Sequence, residues 1–228
     1  MKAFCDFDGT ISTEDVTDLV LDRFALPQWH EVEARWEQGE INSRDCMKAQ
    51  VRLIRATLDD LSDFLDGIAI DREFKAFKQF CDRKGISVTV VSDGVDYFIR
   101  RILANHGILD VEIIANRMIR TVEGDNERFD LAFPHAAEGC MPASGVCKCR
   151  VIGAHHGPHI YVGDGRSDFC VSHNAELVFA KAKLVAYCEE NRIPFIPYSG
   201  FADVLSAVDG LIRKMPAPLK TRAATKTA

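Results

Sequence analysis

The chain opens on a short apolar run, Ala3-Phe4-Cys5, which breaks at the polar cluster Asp6-Phe7-Asp8-Gly9-Thr10. A brief apolar run stopped by a turn-forming glycine predicts a buried strand. Two later runs have the same form: Ile86-Ser87-Val88-Thr89-Val90-Val91 ends at Ser92-Asp93-Gly94, and His159-Ile160-Tyr161-Val162 ends at Gly163-Asp164-Gly165. Residues 111–115, Leu177-Val178-Phe179-Ala180 and Pro194-Phe195-Ile196 read as further strands. Between them apolar positions recur every three or four residues. Val16, Leu19, Val20 and Phe24 share one helical face, and Met47, Val51 and Ile54 share another behind Ser43, read as an N-cap. Residues 59–65, 71–84 (stopped by Gly85) and 95–105 predict three more helices. Residues 118–133 read as a hairpin turning at Glu123-Gly124-Asp125-Asn126.

Strands alternating with helices imply an α/β fold, with a mostly parallel sheet covered on both faces. Ligands in such sheets gather at the carboxyl ends of the strands. Asp6, Ser92 and Asp164 each follow a strand directly, so one rule of topology brings three distant segments together.

Composition narrows the picture. A chain of 228 residues that is 47% hydrophobic and 27% charged suits one large domain, or a core with an insertion. A net charge of -6 argues against nucleic acid as a partner, because backbone phosphate needs clustered cations. No apolar run is long enough to span a bilayer, and the first strand leaves no room for a secretory leader. The expected location is cytoplasmic, with the eight cysteines reduced. Cys140, Cys147 and Cys149, near His135, lack a zinc-type Cys-x2-Cys pair and read as free thiols. The segment from Lys214 onward, rich in Pro, Ala, Thr and cations, reads as a disordered tail.

Asp6 and Asp8 are separated by one residue, so on a continuing strand they share a face. Paired carboxylates repel and need a cation or a shared proton. Magnesium suits them, being hard, oxygen-seeking and a binder of phosphate. One carboxylate can attack phosphorus while the other handles the leaving-group proton. Asp-x-Asp alone is equally a polar strand-end turn; Phe7 between and Gly9-Thr10 after, with glycine permitting close backbone approach, shift the reading to chemistry. Ser92 could hold a phosphoryl oxygen or merely cap a helix. Lys148 could neutralise a carboxylate and a phosphate, or lie exposed at a helix start. Asp164 could complete a metal site, and Asp168 could orient Lys148 or a metal-bound water; both could equally cap a glycine turn.

Taken in order, Asp6-Phe7-Asp8-Gly9-Thr10, Ser92, Lys148 and Gly163-Asp164-Gly165-Arg166-Ser167-Asp168 resemble the four motifs of the haloacid dehalogenase superfamily. The resemblance implies a Rossmannoid parallel sheet with helices on both faces and an inserted α-helical (C1-type) cap, as in phosphoserine-phosphatase-like members. Residues 1–12 and 77–213 would form the core, 13–76 the cap and 214–228 the tail. Asp6 would be the nucleophile that forms an aspartyl-phosphate, and Asp8 the general acid and then base. Mg2+ would be held by Asp6, the Asp8 main-chain carbonyl and Asp164. Ser92, Asp93, Gly94 and Lys148 would bind the phosphoryl group, with Asp168 behind them. Asp15 stands where phosphoserine phosphatases carry a glutamate that reads the substrate amine.

Cys5 to Ile11, Ser92 to Phe98, Gly145 to Lys148, and Cys188-Glu189-Glu190-Asn191 look most like the methionine-salvage phosphatases of this superfamily. Asp93 departs from their common Ser-Gly-Gly. The implied activity is phosphomonoester hydrolysis of a small phosphorylated metabolite by a monomer or homodimer, without nucleic acid or membrane. The alternatives are a phosphatase for phosphoserine or another small alcohol phosphate, and a non-catalytic phosphate-binding module on the same fold.

Overall fold

The computed structural model describes residues 1–124, 126–140 and 143–214. Strand β1 (Lys2–Cys5) leads into four helices, α1 (Val16–Phe24), α2 (Trp29–Glu37), α3 (Ser43–Val51) and α4 (Leu58–Leu65). Then come α5 (Phe74–Arg83), β2 (Ser87–Val95), α6 (Asp96–Asn105), and the paired strands β3 (Glu112–Glu123) and β4 (Asn126–Ala132). The rest is α7 (Lys148–Gly153), β5 (His159–Gly163), α8 (Phe169–Ser172), β6 (Leu177–Ala180), α9 (Ala182–Glu190), β7 (Phe195–Pro197) and α10 (Phe201–Lys214). Among the described residues the strands form one sheet, ordered β4-β3-β2-β1-β5-β6-β7. Every pairing is parallel except β3 with β4.

The central strands are apolar on both sides because both faces are covered. In β1, Ala3 and Cys5 face the large core shared with Phe74, Phe77 and Phe201, while Phe4 faces a second cluster with Val91, Ile152 and Tyr161. In β6, Phe179 joins the first core, while Val178 and Ala180 pack against Leu184 and Cys188 of α9. The period-2 alternation of strand side chains divides each run between two layers.

β1 lies between β2 and β5, and successive strands are added outward on either side of it. The order therefore reverses at β1, and the crevice at the carboxyl ends of β1, β2 and β5 is the expected ligand position.

Several local expectations shift. Asn42, not Ser43, caps α3: its Oδ1 accepts from Asp45 N–H at 3.0 Å, while the Ser43 hydroxyl accepts from Trp36 Nε1 at 3.1 Å. The helix expected at 71–84 begins at Phe74, because Asp71 is held outside it by Glu73 N–H and Phe201 N–H. The strand expected at 111–115 is the start of β3, which continues into the hairpin; Asp125 of its turn lies outside the described residues. The free-thiol reading fails for one pair: Cys149 of α7 and Cys170 of α8 form a disulfide, spanning 21 positions between two packed helices. Cys140 and Cys147 are free. The expected tail, past Lys214, lies outside the described residues. No helix among the described residues is long and apolar enough to cross a membrane.

Candidate active site

Four strand ends and helix starts converge on one crevice. Asp6 follows β1 with little solvent exposure, and its Oδ1 accepts from Phe7 N–H at 2.8 Å. Its Oδ2 lies 2.7 Å from Lys148 Nζ and accepts from the Ser167 hydroxyl at 3.4 Å. Lys148, the first residue of α7, is only 2% exposed. Its ammonium also donates to Asp168 Oδ1 at 2.6 Å and Ser167 Oγ at 2.9 Å. An ammonium with three protein acceptors is far from the exposed lysine that residue statistics favour.

Asp168 is fully enclosed, and both its oxygens are saturated. Oδ1 accepts from Lys148 and from the Tyr161 hydroxyl; Oδ2 accepts from Asp164 N–H at 2.9 Å and Gly165 N–H at 3.0 Å. Burial opposes the charged carboxylate, but Lys148, Tyr161 and the backbone donors outweigh it and hold Asp168 below its ordinary pKa. For Lys148, burial is likewise outweighed, and Asp168 and Asp6 raise the ammonium above its usual value.

Asp8 is set apart from this ion-pair group. Its Oδ1 accepts from Val16 N–H, the first residue of α1, at 2.9 Å, and its Oδ2 accepts from the Ser92 hydroxyl at 3.4 Å. Burial, reinforced by the nearby Asp15 charge, raises Asp8 to about 8. A carboxyl with that value keeps its proton near neutrality, as a proton donor requires. Ser92 in turn accepts from Gly94 N–H at 2.9 Å. Gly9 has φ +66° and packs against Asp164, where an added Cβ would come within 2.6 Å of Oδ2. Asp164 Oδ1 accepts from the Thr10 hydroxyl at 2.8 Å.

The Asp93 carboxylate is committed to protein donors, accepting from Val146 N–H at 2.9 Å and Asn116 Nδ2 at 3.2 Å. Asp15 caps α1 by accepting from Asp18 N–H, and its exposed side chain borders the crevice. Above the strand ends lies a cavity of about 400 Å³, within the usual range for small-molecule sites. Its far wall comes from α1, α2 and α3 and includes Asp18, Glu33, Trp36, Met47 and Gln50. Arg166, on the opposite side, lies over the Trp36 ring at 5.8 Å. Arg52, a candidate cation from the sequence, instead pairs with Asp130 of β4 at 2.8 Å.

Sequence reasoning did not find Ser167, Tyr161 or Thr10 as contacts of these carboxylates. Tyr161 carried the best signal, since a hydroxyl within an apolar strand must find a partner when buried. The wall residues carried none, because α1–α3 look like ordinary amphipathic helices.

Carboxylate oxygens of Asp6, Asp164 and Asp168 approach within 4.8 Å of one another, a spacing that could hold a metal. Asp168 is already saturated, which leaves Asp6 and Asp164 as the available ligands. Burial raises both, and Asp168 adds to each shift, so Lys148 leaves the group short of positive charge. An all-oxygen site with excess negative charge fits a hard divalent cation.

A parallel α/β sheet whose switch point gathers a DxD pair, a serine, a lysine and an Asp-rich turn defines a hydrolase. The family model for haloacid dehalogenase-like hydrolases matches residues 3–173, and the chain belongs to that family. It is 32% identical over 220 residues to the 2-hydroxy-3-keto-5-methylthiopentenyl-1-phosphate phosphatase of Bacillus mycoides (strain KBAB4), covering 93% of this chain and 97% of that one. It is 31% identical over 214 residues to the protein of the same name from Geobacillus thermodenitrificans (strain NG80-2), covering 91% and 95%. A substrate-bound phosphoserine phosphatase structure aligns with a TM-score of 0.65 at 20% identity, covering 90% of this chain and 97% of that one; the likeness is one of fold.

Proposed function

We propose that this protein is a magnesium-dependent phosphomonoesterase that works through an aspartyl-phosphate on Asp6. The observation that carries the reading is the division of labour between two adjacent carboxyls. Asp6 sits against Lys148. Asp8, two residues on, is turned to Ser92 and the start of α1 and is held up to about 8. A pair whose environments separate their proton affinities suits a nucleophile beside an acid.

In the first half-reaction a carboxylate oxygen of Asp6 attacks phosphorus. The P–O bond to the alcohol breaks, and Asp8 gives its proton to the departing oxygen. In the second, a water oxygen attacks the same phosphorus, the P–O bond to Asp6 breaks, and Asp8 takes the water's proton. Lys148 and Ser92 hold the phosphoryl oxygens, with main-chain groups at Asp93 and Gly94 beside them. Lys148 also keeps Asp6 from competing as a base. Asp168 and Ser167 fix the ammonium in place. Mg2+, held by Asp6, the Asp8 carbonyl and Asp164, would neutralise phosphate charge as the reaction proceeds. Such transfer depends mainly on positioning and electrostatics.

Residues 13–76, containing α1–α4, serve as the cap over a core of residues 1–12 and 77–213. Their wall over the cavity excludes water and meets the leaving group. The names of the relatives make 2-hydroxy-3-keto-5-methylthiopentenyl-1-phosphate the first candidate substrate. The wall supports a second reading: Asp15, Asp18 and Glu33 suit an amine, and Arg166 suits a carboxylate, so phosphoserine-like substrates belong in the same test. The test is phosphate release from a panel with both compounds, generic aryl phosphates and Mg2+. Release that disappears on chelation supports the reading, and an inert wild type across the panel overturns it.

A further inference from the structure

We propose that Asp93 is a positioning residue that latches the loop carrying Lys148 onto the sheet, through Asn116 and the Val146 N–H. The inference rests on the role given to Lys148 above.

The sheet is irregular where the latch forms. β2 and β3 pair in register up to Val91, and the register shifts before Val95, so Ser92-Asp93-Gly94 bridges an interruption in the ladder. Asn116 of β3 fills the interruption. It is 0% exposed, a primary amide within an otherwise apolar layer. Its Nδ2 donates both to the Asp93 carbonyl and to Asp93 Oδ1. The same Oδ1 accepts from Val146 N–H at 2.9 Å. One carboxylate oxygen thus joins β3 to a loop 53 positions away from Asp93 in sequence.

The loop is shaped to receive this contact. Gly145 lies flat on the Asn116 side chain: an added Cβ would stand 2.6 Å from Phe133 Cδ1 and closer still to Asn116 Oδ1. Val146 buries its side chain beside Phe4 and Val91, and Cys147 N–H donates to His135 O at 3.0 Å. Lys148 comes next. Helix α7 has six residues, too few to fix its own first residue by helical cooperativity. The backbone ahead of Lys148 must therefore be anchored from outside, and Asp93 supplies a side-chain anchor two residues before it. Asn116 Oδ1 has no partner among the described residues, an unpaired acceptor kept in the core. A strand under packing selection alone would carry an apolar residue there. The amide is retained because its Nδ2 holds Asp93. This also accounts for an acidic residue next to a phosphate pocket: its charge is directed at backbone and amide donors.

Asp93→Ala removes the acceptor, and Asp93→Asn keeps a carbonyl oxygen where Oδ1 stood. The test combines two measurements on the full chain. An amine-reactive ester, with modified lysines located by peptide mass spectrometry, reports Lys148 without requiring any turnover. Lys148 should be protected in wild type and Asp93→Asn and labelled in Asp93→Ala, with Lys181 and Lys183 unchanged. Turnover of an aryl phosphate with Mg2+ should fall about 10- to 100-fold in kcat for Asp93→Ala, with KM nearly constant and most of kcat restored in Asp93→Asn. In a Lys148→Ala background the Asp93→Ala change should have little further effect, because Asp93 acts through Lys148. Equal protection of Lys148 in wild type and Asp93→Ala overturns the proposal. So does a kcat loss that persists in full without Lys148. If Asp93→Ala does not fold, Asp93→Ser, too short to reach Val146, takes its place with the same outcomes. A wild type without phosphatase activity would overturn the proposed reaction, while the labelling result would still decide the latch.

Discussion

Lys148 and Asp168 meet at 2.6 Å with almost no solvent access to either, 2% and 0% by side chain. Removing one partner of such a pair strands the other charge in the core, which costs about 3–5 kcal/mol. Asp168→Ala also deprives the Asp164 and Gly165 N–H groups of their acceptor. Chemical denaturation should show Asp168→Ala destabilised by about that amount. Asp168 has a lowered folded pKa, so its stabilisation is present above the ordinary carboxylate value and lost as pH falls through the lowered one. The gap between wild type and variant should therefore close in acid. An unchanged gap from neutrality into acid would contradict the assignment.

The Tyr161 hydroxyl donates to the same carboxylate from a fully buried position. Tyr161→Phe keeps the ring and deletes the bond. Stability should fall by about 1–3 kcal/mol, while kcat falls less than in Lys148→Ala. A kcat loss equal to that of Lys148→Ala would mean that Tyr161 meets the substrate directly.

Sequence patterns carried much of this site. Asp6, Ser92 and Asp164 each end a run of apolar residues, and parallel topology alone brings such ends together. Lys148 and Asp168 were legible through motif order. Contacts that depend on tertiary partners were not. Asp93 looked like an extra charge beside a phosphate pocket, because its partners Asn116 and Val146 lie 23 and 53 positions away. Asn42 and Ser43 are both good capping residues, and the structure places Asn42 at the cap because Ser43 is taken by the Trp36 indole. The Cys149–Cys170 disulfide arises only because α7 and α8 pack together, which spacing does not reveal.

Asp15 raises Asp8 through its charge, second only to burial. Asp15→Asn removes that repulsion, so the Asp8 carboxyl should lose its proton at lower pH. The alkaline limb of the kcat profile should move down in pH, and the profile should otherwise keep its shape. A limb that stays in place, or moves up, would contradict the assignment of Asp8 as proton donor.

Without metal, burial holds Asp6, Asp8 and Asp164 above their ordinary values, Asp8 at about 8. Groups raised on folding stabilise at low pH, and the benefit fades as pH rises through the folded value. The metal-free melting temperature should thus decline between about pH 4, near the unfolded carboxylate value, and the folded Asp8 value of about 8. Binding of Mg2+ must displace such protons. Its affinity by calorimetry should rise over the same interval, with proton release visible as a dependence on buffer ionisation enthalpy. Affinity that is flat from pH 6 to pH 8 would contradict the assigned ligands.

The nucleophile can be observed directly. Enzyme turning over an aryl phosphate with Mg2+ is quenched in acid and treated with borohydride, which reduces an acyl phosphate but leaves free carboxyls intact. Peptide mass spectrometry then reads the reduced position. The expected result is conversion of Asp6 to homoserine, absent without substrate and absent in Asp6→Asn, which should release no phosphate. Phosphate release with Asp6 unreduced, or with the label on another residue, would contradict the central claim.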